Sequence, residues 1–151
     1  MREYIQALRA IWQCWKTGEK LQFEGKHYNF SLMTPAFVPE VMAAPPPAIT
    51  IGAVGPAMLR VAAEMCDGVR LHPFCTKRYQ ENVVLPIMLA GLEKAGRARD
   101  GFEITGGGFI ATGADEAAVE ERLAWVRQRV AFYGSTRAYW PVLQEHGLED
   151  L

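Results

Sequence analysis

The residues best able to do chemistry gather in three short stretches. Gly52-Ala53-Val54-Gly55-Pro56 follows a β-branched run, Ile49-Thr50-Ile51, and precedes a helix-like pattern. The first N–H groups of a helix have no partner inside it, and the helix dipole adds partial positive charge there. Small residues let a ligand approach that backbone, and Pro56 suits a first helical turn because its missing N–H is not needed. Such a corner can hold an anion, most often a phosphate. The same five residues also serve as a tight strand–helix turn with no ligand. The Gly-x-x-Gly-Pro spacing is neither a dinucleotide fingerprint nor a lysine-bearing phosphate loop.

His72-Pro73-Phe74 ends the next strand-like run, Gly68-Val69-Arg70-Leu71, and so falls on the same rim. A histidine there can donate a hydrogen bond or carry a proton, or it can simply finish a strand. Gly106-Gly107-Gly108 interrupts a third strand-like run. It reads equally as a bulge, a close helix contact or a place where a flat cofactor lies near the backbone. His27 and His146 have no partner at metal or triad spacing and read as surface residues. Cys14, Cys66 and Cys75 are widely spaced and odd in number, so they read as small buried hydrophobes in a reduced, cytoplasmic setting.

The elements that must position these groups follow from periodicity. Residues 2–17 are expected to form an amphipathic helix with Tyr4, Ile5, Leu8, Ile11, Trp12 and Trp15 on one face and Gly18 as its stop. Residues 21–30 suggest a short hairpin around Glu24-Gly25-Lys26. Residues 31–47 carry five prolines, so regular structure is not expected there, and Pro45 to Pro47 should be extended. Strands are then expected at 48–53, 68–72 and 102–112, and helices at 56–66, 76–96, 115–133 and about 136–146. Pro86 should kink the second of these helices, where Val83, Val84, Ile87, Met88 and Leu92 read as packing. The third carries Asp115 and Glu116 at its start and an inner stripe of Ala118, Val119, Leu123, Val126 and Val130. Strands alternating with helices imply crossover units on a parallel sheet, so 48–135 is read as three βα units.

The chain has 151 residues, half of them hydrophobic, which suffices for one globular core. Its formal net charge of −1 gives no electrostatic footprint for nucleic acid or an anionic membrane. No apolar run approaches the ~20 residues of a membrane span. Three strands are few for an α/β domain, and a closed parallel barrel takes eight strands and about 250 residues.

Several stretches, in order, resemble the luciferase-like monooxygenases, in particular the branch of F420-dependent oxidoreductases. They are FEGKHYNF at 23–30, TPAFVP at 34–39, PPPAITIGAVGPAMLRVAAEMCDGVRLHPF at 45–74, RYQENVVLPIMLAGLEKAGR at 78–97 and FYGSTRAYWPVLQEHG at 132–147. The resemblance covers nearly the whole chain. It implies an α/β fold, a (β/α)₈ TIM barrel with a proline-rich insertion, of which residues 1–151 form a single partial domain. It implies coenzyme F420, or alternatively FMN, at the carboxyl rim, held by Gly52, Ala53, Val54, Gly55 and Met58. His72 and Phe74 fall at the implied substrate pocket, and no metal is implied. The implied activity is hydride transfer to, or oxygenation of, a small organic molecule. Family members run to about twice this length, so the chain reads as a fragment whose partner is a second copy or the missing barrel half. The alternative reading is a half-barrel without catalysis that binds a phosphorylated ligand or a partner chain.

Overall fold

The computed structural model describes residues 1–40 and 45–148, in two compact units, Met1–Ile49 and Thr50–Leu151. In the first unit, α1 (Arg2–Thr17) buries Ile5, Ala7 and Cys14 and leaves Trp12 and Trp15 half-buried, while Tyr4, expected on the same apolar face, is exposed. Trp15 Nε1–H points at Met33 Sδ, 3.4 Å away. The helix ends where expected: Gly18 takes the left-handed conformation (φ 72°) and its N–H donates to the Cys14 carbonyl. The hairpin pairs β1 (Phe23–Glu24) with β2 (Asn29–Phe30), Phe23 opposite Phe30 and Glu24 opposite Asn29. The proline-rich segment holds one 3₁₀ turn, Pro35–Phe37, and Pro45 to Pro47 lie exposed in coil. Its residues 41–44 lie outside the described residues.

The second unit is built on a parallel sheet in the order β3 (Thr50–Ala53), β4 (Gly68–Leu71), β5 (Glu103–Thr105). Between β3 and β4 runs α2 (Pro56–Met65). Between β4 and β5 come α3 (Lys77–Tyr79), a π segment (Gln80–Val84) and α4 (Leu85–Lys94). After β5 follow α5 (Glu116–Gly134), a 3₁₀ turn (Arg137–Tyr139) and α6 (Trp140–Gln144). Parallel neighbours need crossover connections, and the helices supply them.

Strand alternation sorts the two faces of this sheet. Ala53, Val69 and Leu71 enter a core with Leu59, Ala62 and Ala63 of α2, and with Val84, Met88 and Leu92. On the opposite face Thr50, Gly52, Arg70 and Glu103 are exposed. The sheet is therefore covered on one side and polar on the other. Cys14, Cys66 and Cys75 are buried thiols, none of them in a disulfide.

The helical geometry changes just ahead of Pro86. The Leu85 N–H reaches back five residues to the Gln80 carbonyl, so the turn ahead of the proline is widened to π geometry. Widening makes room for a ring that would otherwise strike the carbonyl four residues earlier. Val84, Met88 and Leu92 are buried and Val83 and Ile87 partly so.

Two expectations are corrected. The third strand does not run through 102–112; it stops at Thr105. Gly106 turns away at φ 138°, where a Cβ would stand 2.8 Å from the Leu71 carbonyl oxygen. The glycine run is thus a close approach to the end of β4, with Gly107 and Gly108 facing open space. Secondly, α5 has no buried residue, and its expected inner stripe is half exposed, Val130 at 41%. The helix after a parallel strand packs across that strand and the next, and among the described residues no strand follows β5. Its start is formed as expected: the Asp115 carboxylate accepts the Ala118 N–H at 2.8 Å.

Candidate active site

At the carboxyl end of β3 the chain leaves the sheet through Val54-Gly55 and enters α2 at Pro56. Gly55 is the N-cap, with extended backbone (φ −83°, ψ 160°), and it offers no side-chain acceptor to the first-turn amides. A Cβ at Gly52 or at Gly55 would meet nothing within 4 Å. Neither glycine is required by backbone strain or by packing; both leave open ground beside the start of a helix.

That ground is a groove of about 650 Å³. Gly52, Ala53, Val54, Gly55 and Met58 line it on one side, Arg70, Leu71, His72 and Pro73 along the end of β4, and Ala138 with Tyr139 opposite. All five residues expected at the cofactor meet here, and so does His72. Phe74 does not line this groove. It is only 7% exposed, lies against Tyr139 (5.7 Å between ring centres), and borders a separate apolar hollow of about 450 Å³ with Val126, Val130 and Leu143.

Phe74 nevertheless acts on the groove through its backbone. Its N–H donates to His72 Nδ1 at 3.0 Å. A backbone amide can only donate, so Nδ1 is the acceptor and Nε2 carries the proton. Tyr133 and Tyr139 hold the imidazole at centroid distances of 4.4 and 4.8 Å. Burial lowers the His72 pKa below its ordinary value, so the ring is a neutral donor at pH 7.

Tyr79 supports the corner from within. It is 1% exposed, and its hydroxyl donates to the Val54 carbonyl at 3.0 Å. Burial first, then the neighbouring Cys75 and Glu145, push its own pKa up. Burial likewise pushes the Cys75 thiol up, against a smaller opposing hydrogen bond from Gln80. Both its burial and this direction disfavour the thiolate that a nucleophilic cysteine needs. His27 and His146 are exposed, and the His146 Nε2 meets Thr76 Oγ1 at 2.8 Å. Among the described residues no three His, Cys, Asp or Glu side chains gather as a metal site, and no helix is long and apolar enough to cross a membrane.

Sequence reasoning passed over Arg70, Tyr79, Tyr133 and Tyr139. Arg70 carried the one available signal, a charge in the middle of a β-branched and aliphatic strand. The tyrosines carried none, because their partners are 25 to 67 residues away in the chain.

A groove outside the carboxyl ends of parallel strands is where α/β proteins, barrels and open sheets alike, take their ligands, and it places the chain in that class. Residues 1–150 match the luciferase-like monooxygenase family. The chain belongs to that family. It is 46% identical over its whole length to the uncharacterized protein Rv1360 of Mycobacterium tuberculosis, of which it covers 44%. It is 32% identical over 99% of its length to a 5,10-methylenetetrahydromethanopterin reductase of Archaeoglobus fulgidus, covering 41% of that protein. The coenzyme F420 dependent tetrahydromethanopterin reductase of Methanopyrus kandleri superimposes on 96% of the chain with TM-score 0.64 and 22% identity, over 40% of its own length. The chain thus has a luciferase-like fold in the form of a partial TIM barrel, and spans less than half the length of these relatives.

Proposed function

We propose that the chain is the cofactor-rim portion of an oxidoreductase that uses coenzyme F420, with FMN as the alternative, on a small organic molecule in the cytoplasm. The observation that carries this reading is the open start of α2: amides without a side-chain cap, flanked by two glycines whose missing Cβ atoms leave room. That chemistry fits a phosphate-bearing group. Gly52, Ala53, Val54, Gly55 and Met58 would hold it, mostly through backbone N–H groups. When bound, the deazaflavin or flavin supplies the hydride chemistry. The chain's own residues grip the phosphate, and Tyr79 keeps the Val54 loop in place. The names of the archaeal relatives, both reductases and one F420 dependent, support the same reading.

A second reading is favoured by one observation, the three-stranded sheet in a chain spanning 44% of a relative. In it the chain binds a phosphorylated ligand or a partner chain, either a second copy or the other barrel half, without catalysis. Fluorescence titration with F420 and with FMN separates the two. The first reading expects saturable binding of one of them. Gly55→Glu should weaken it about tenfold or more by placing like charge at the helix start. The substitution meets no clash and no backbone strain, so the fold should persist. Undiminished affinity in that variant would remove the site from the helix start.

A further inference from the structure

Arg70 is the side chain that the cofactor reading leaves without work. It sits in the middle of β4, on the sheet face opposite the helices, and is exposed. Across the ladder it faces Gly52 on one side and Thr105 on the other. Gly52 offers no side chain, and Thr105 turns its hydroxyl to the Val69 carbonyl. The guanidinium makes no hydrogen bond or ion pair with any described residue. Other arginines of this unit are committed: Arg78 to Glu145, Arg97 to the Ala63 and Cys66 carbonyls, Arg99 to the Phe102 carbonyl, Arg127 to Glu120. Arg60 and Arg122 have no such partner either, and Arg129 and Arg137 lie over Trp125 and Trp140, but all four are outside both grooves.

Arg70 borders two hollows at once, the one at the start of α2 and a second of about 650 Å³ reaching Glu103, Thr105 and Gly106. Glu103 is the charged neighbour on that second side, yet it does not pair with Arg70. Its negative charge disfavours an anion there and leaves the Gly52 side as the approach. Two residues further along, about 6.6 Å at strand spacing, comes His72, whose Nδ1 is already occupied by the Phe74 N–H and whose remaining donor is Nε2–H. A fork of cationic donors and a single neutral donor therefore follow one another along the same wall.

We propose that Arg70 and His72 read an oxyanion on the substrate, so that the small molecule handled at this rim is an acid, a carboxylate or a phosphate ester. Arg70 supplies the bidentate, charge-assisted contact and His72 a directional hydrogen bond to a further oxygen. The proposal deepens the oxidoreductase reading and rests on it, because it assumes that the start of α2 is taken by the cofactor's own phosphate. Arg70 and Gly55 then serve two different anions in one groove.

The test uses the 151-residue chain with inorganic phosphate and with malonate as probes, read by NMR at the Arg70 Nε–H and at the His72 imidazole. Both probes should shift these resonances saturably. Arg70→Gln, an exposed substitution that leaves the core intact, should raise the apparent Kd for both about tenfold. His72→Phe keeps the aromatic packing with Tyr133 and Tyr139 and should raise it less. The F420 affinity of Arg70→Gln should stay within about threefold of the parent, and Gly55→Glu should show the reverse pattern. Absence of probe-dependent shifts, or equal binding by Arg70→Gln, overturns the proposal. An equal loss of F420 and oxyanion affinity in Arg70→Gln overturns it too, since Arg70 would then grip the cofactor. Arg70-dependent oxyanion binding in a chain that takes up neither F420 nor FMN upholds the pair and removes the cofactor reading instead.

Discussion

Glu3 shows how much one carboxylate can organise. Its Oε1 accepts the His27 N–H at 2.6 Å and the Tyr28 N–H at 2.7 Å, which fastens α1 to the turn of the hairpin. Desolvation pushes the Glu3 pKa up, but the His27, Tyr28 and Lys26 amides and the His27 charge together outweigh it, and the net shift is below 4.5. A carboxylate depressed in the folded state adds stability that is complete above its unfolded pKa and is lost as pH falls through the folded value. The hairpin should therefore hold from neutral pH to about 4.5 and loosen below it. The His27 and Tyr28 amide resonances, followed from pH 7 to 3, should move with a midpoint below that of a free glutamate. In Glu3→Gln that titration should vanish and the hairpin be weaker already at pH 7. Nothing in the sequence marks this contact, since Glu3 and its partners are 24 and 25 residues apart. The corner at Gly52–Pro56 was legible for the opposite reason: glycine and proline act on their own backbone, so their effect is local. Arg70 lay between these cases, visible as a charge in a strand but without a partner to give it meaning.

Elements were legible where one local signal fixed them. The cap at Gly18 and the Asp115 start of α5 fall where composition puts them. The ends of elements set by tertiary contact were not, as β5 shows by stopping at the close approach of Gly106 to Leu71. The packing of α2 on α4 is another contact of this kind. Gly91 is buried, and a Cβ there would stand 2.6 Å from the Ala63 Cβ. Helix propensity alone makes Gly91→Ala favourable by about 1 kcal/mol. Overpacking costs about 1–3 kcal/mol, and at that distance one of the two helices must shift, so the steric effect should win. Urea unfolding should show Gly91→Ala with a lower midpoint than the parent. Adding Ala63→Gly should recover part of the loss, because it restores the space the new methyl needs. An equal loss in the single and double variants would mean that this contact does not set the helix spacing.

The second unit is a barrel segment with one face finished and one not. Its helix side carries a continuous core from Ala53 to Leu92, whereas the opposite face presents Thr50, Arg70 and Glu103 to solvent. A closed barrel has no sheet edges, while this sheet has two, β3 and β5. Its parallel α/β sheet was legible in the alternation of periods and its shortage of strands in their count, whereas the barrel followed from the family resemblance; the loose fit of α5 was not legible, because the stripe along that helix is apolar whether or not a strand lies beneath it. Local stability should follow the same division. Hydrogen exchange should be slowest in β4, which is paired on both sides, and in α2 and α4. It should be fast along the first turns of α5 and slower near Tyr133, whose ring contacts His72, Phe74, Phe109 and Tyr139. Repeating the measurement over a hundredfold range of protein concentration distinguishes the single chain from an assembly. If a second copy covers the open face, protection of α5 and of the β3 and β5 edges should rise with concentration, alongside a larger sedimentation coefficient. If protection there is already high in the dilute, monomeric chain, α5 is seated on its own unit and the half-exposed stripe does not describe its state in solution.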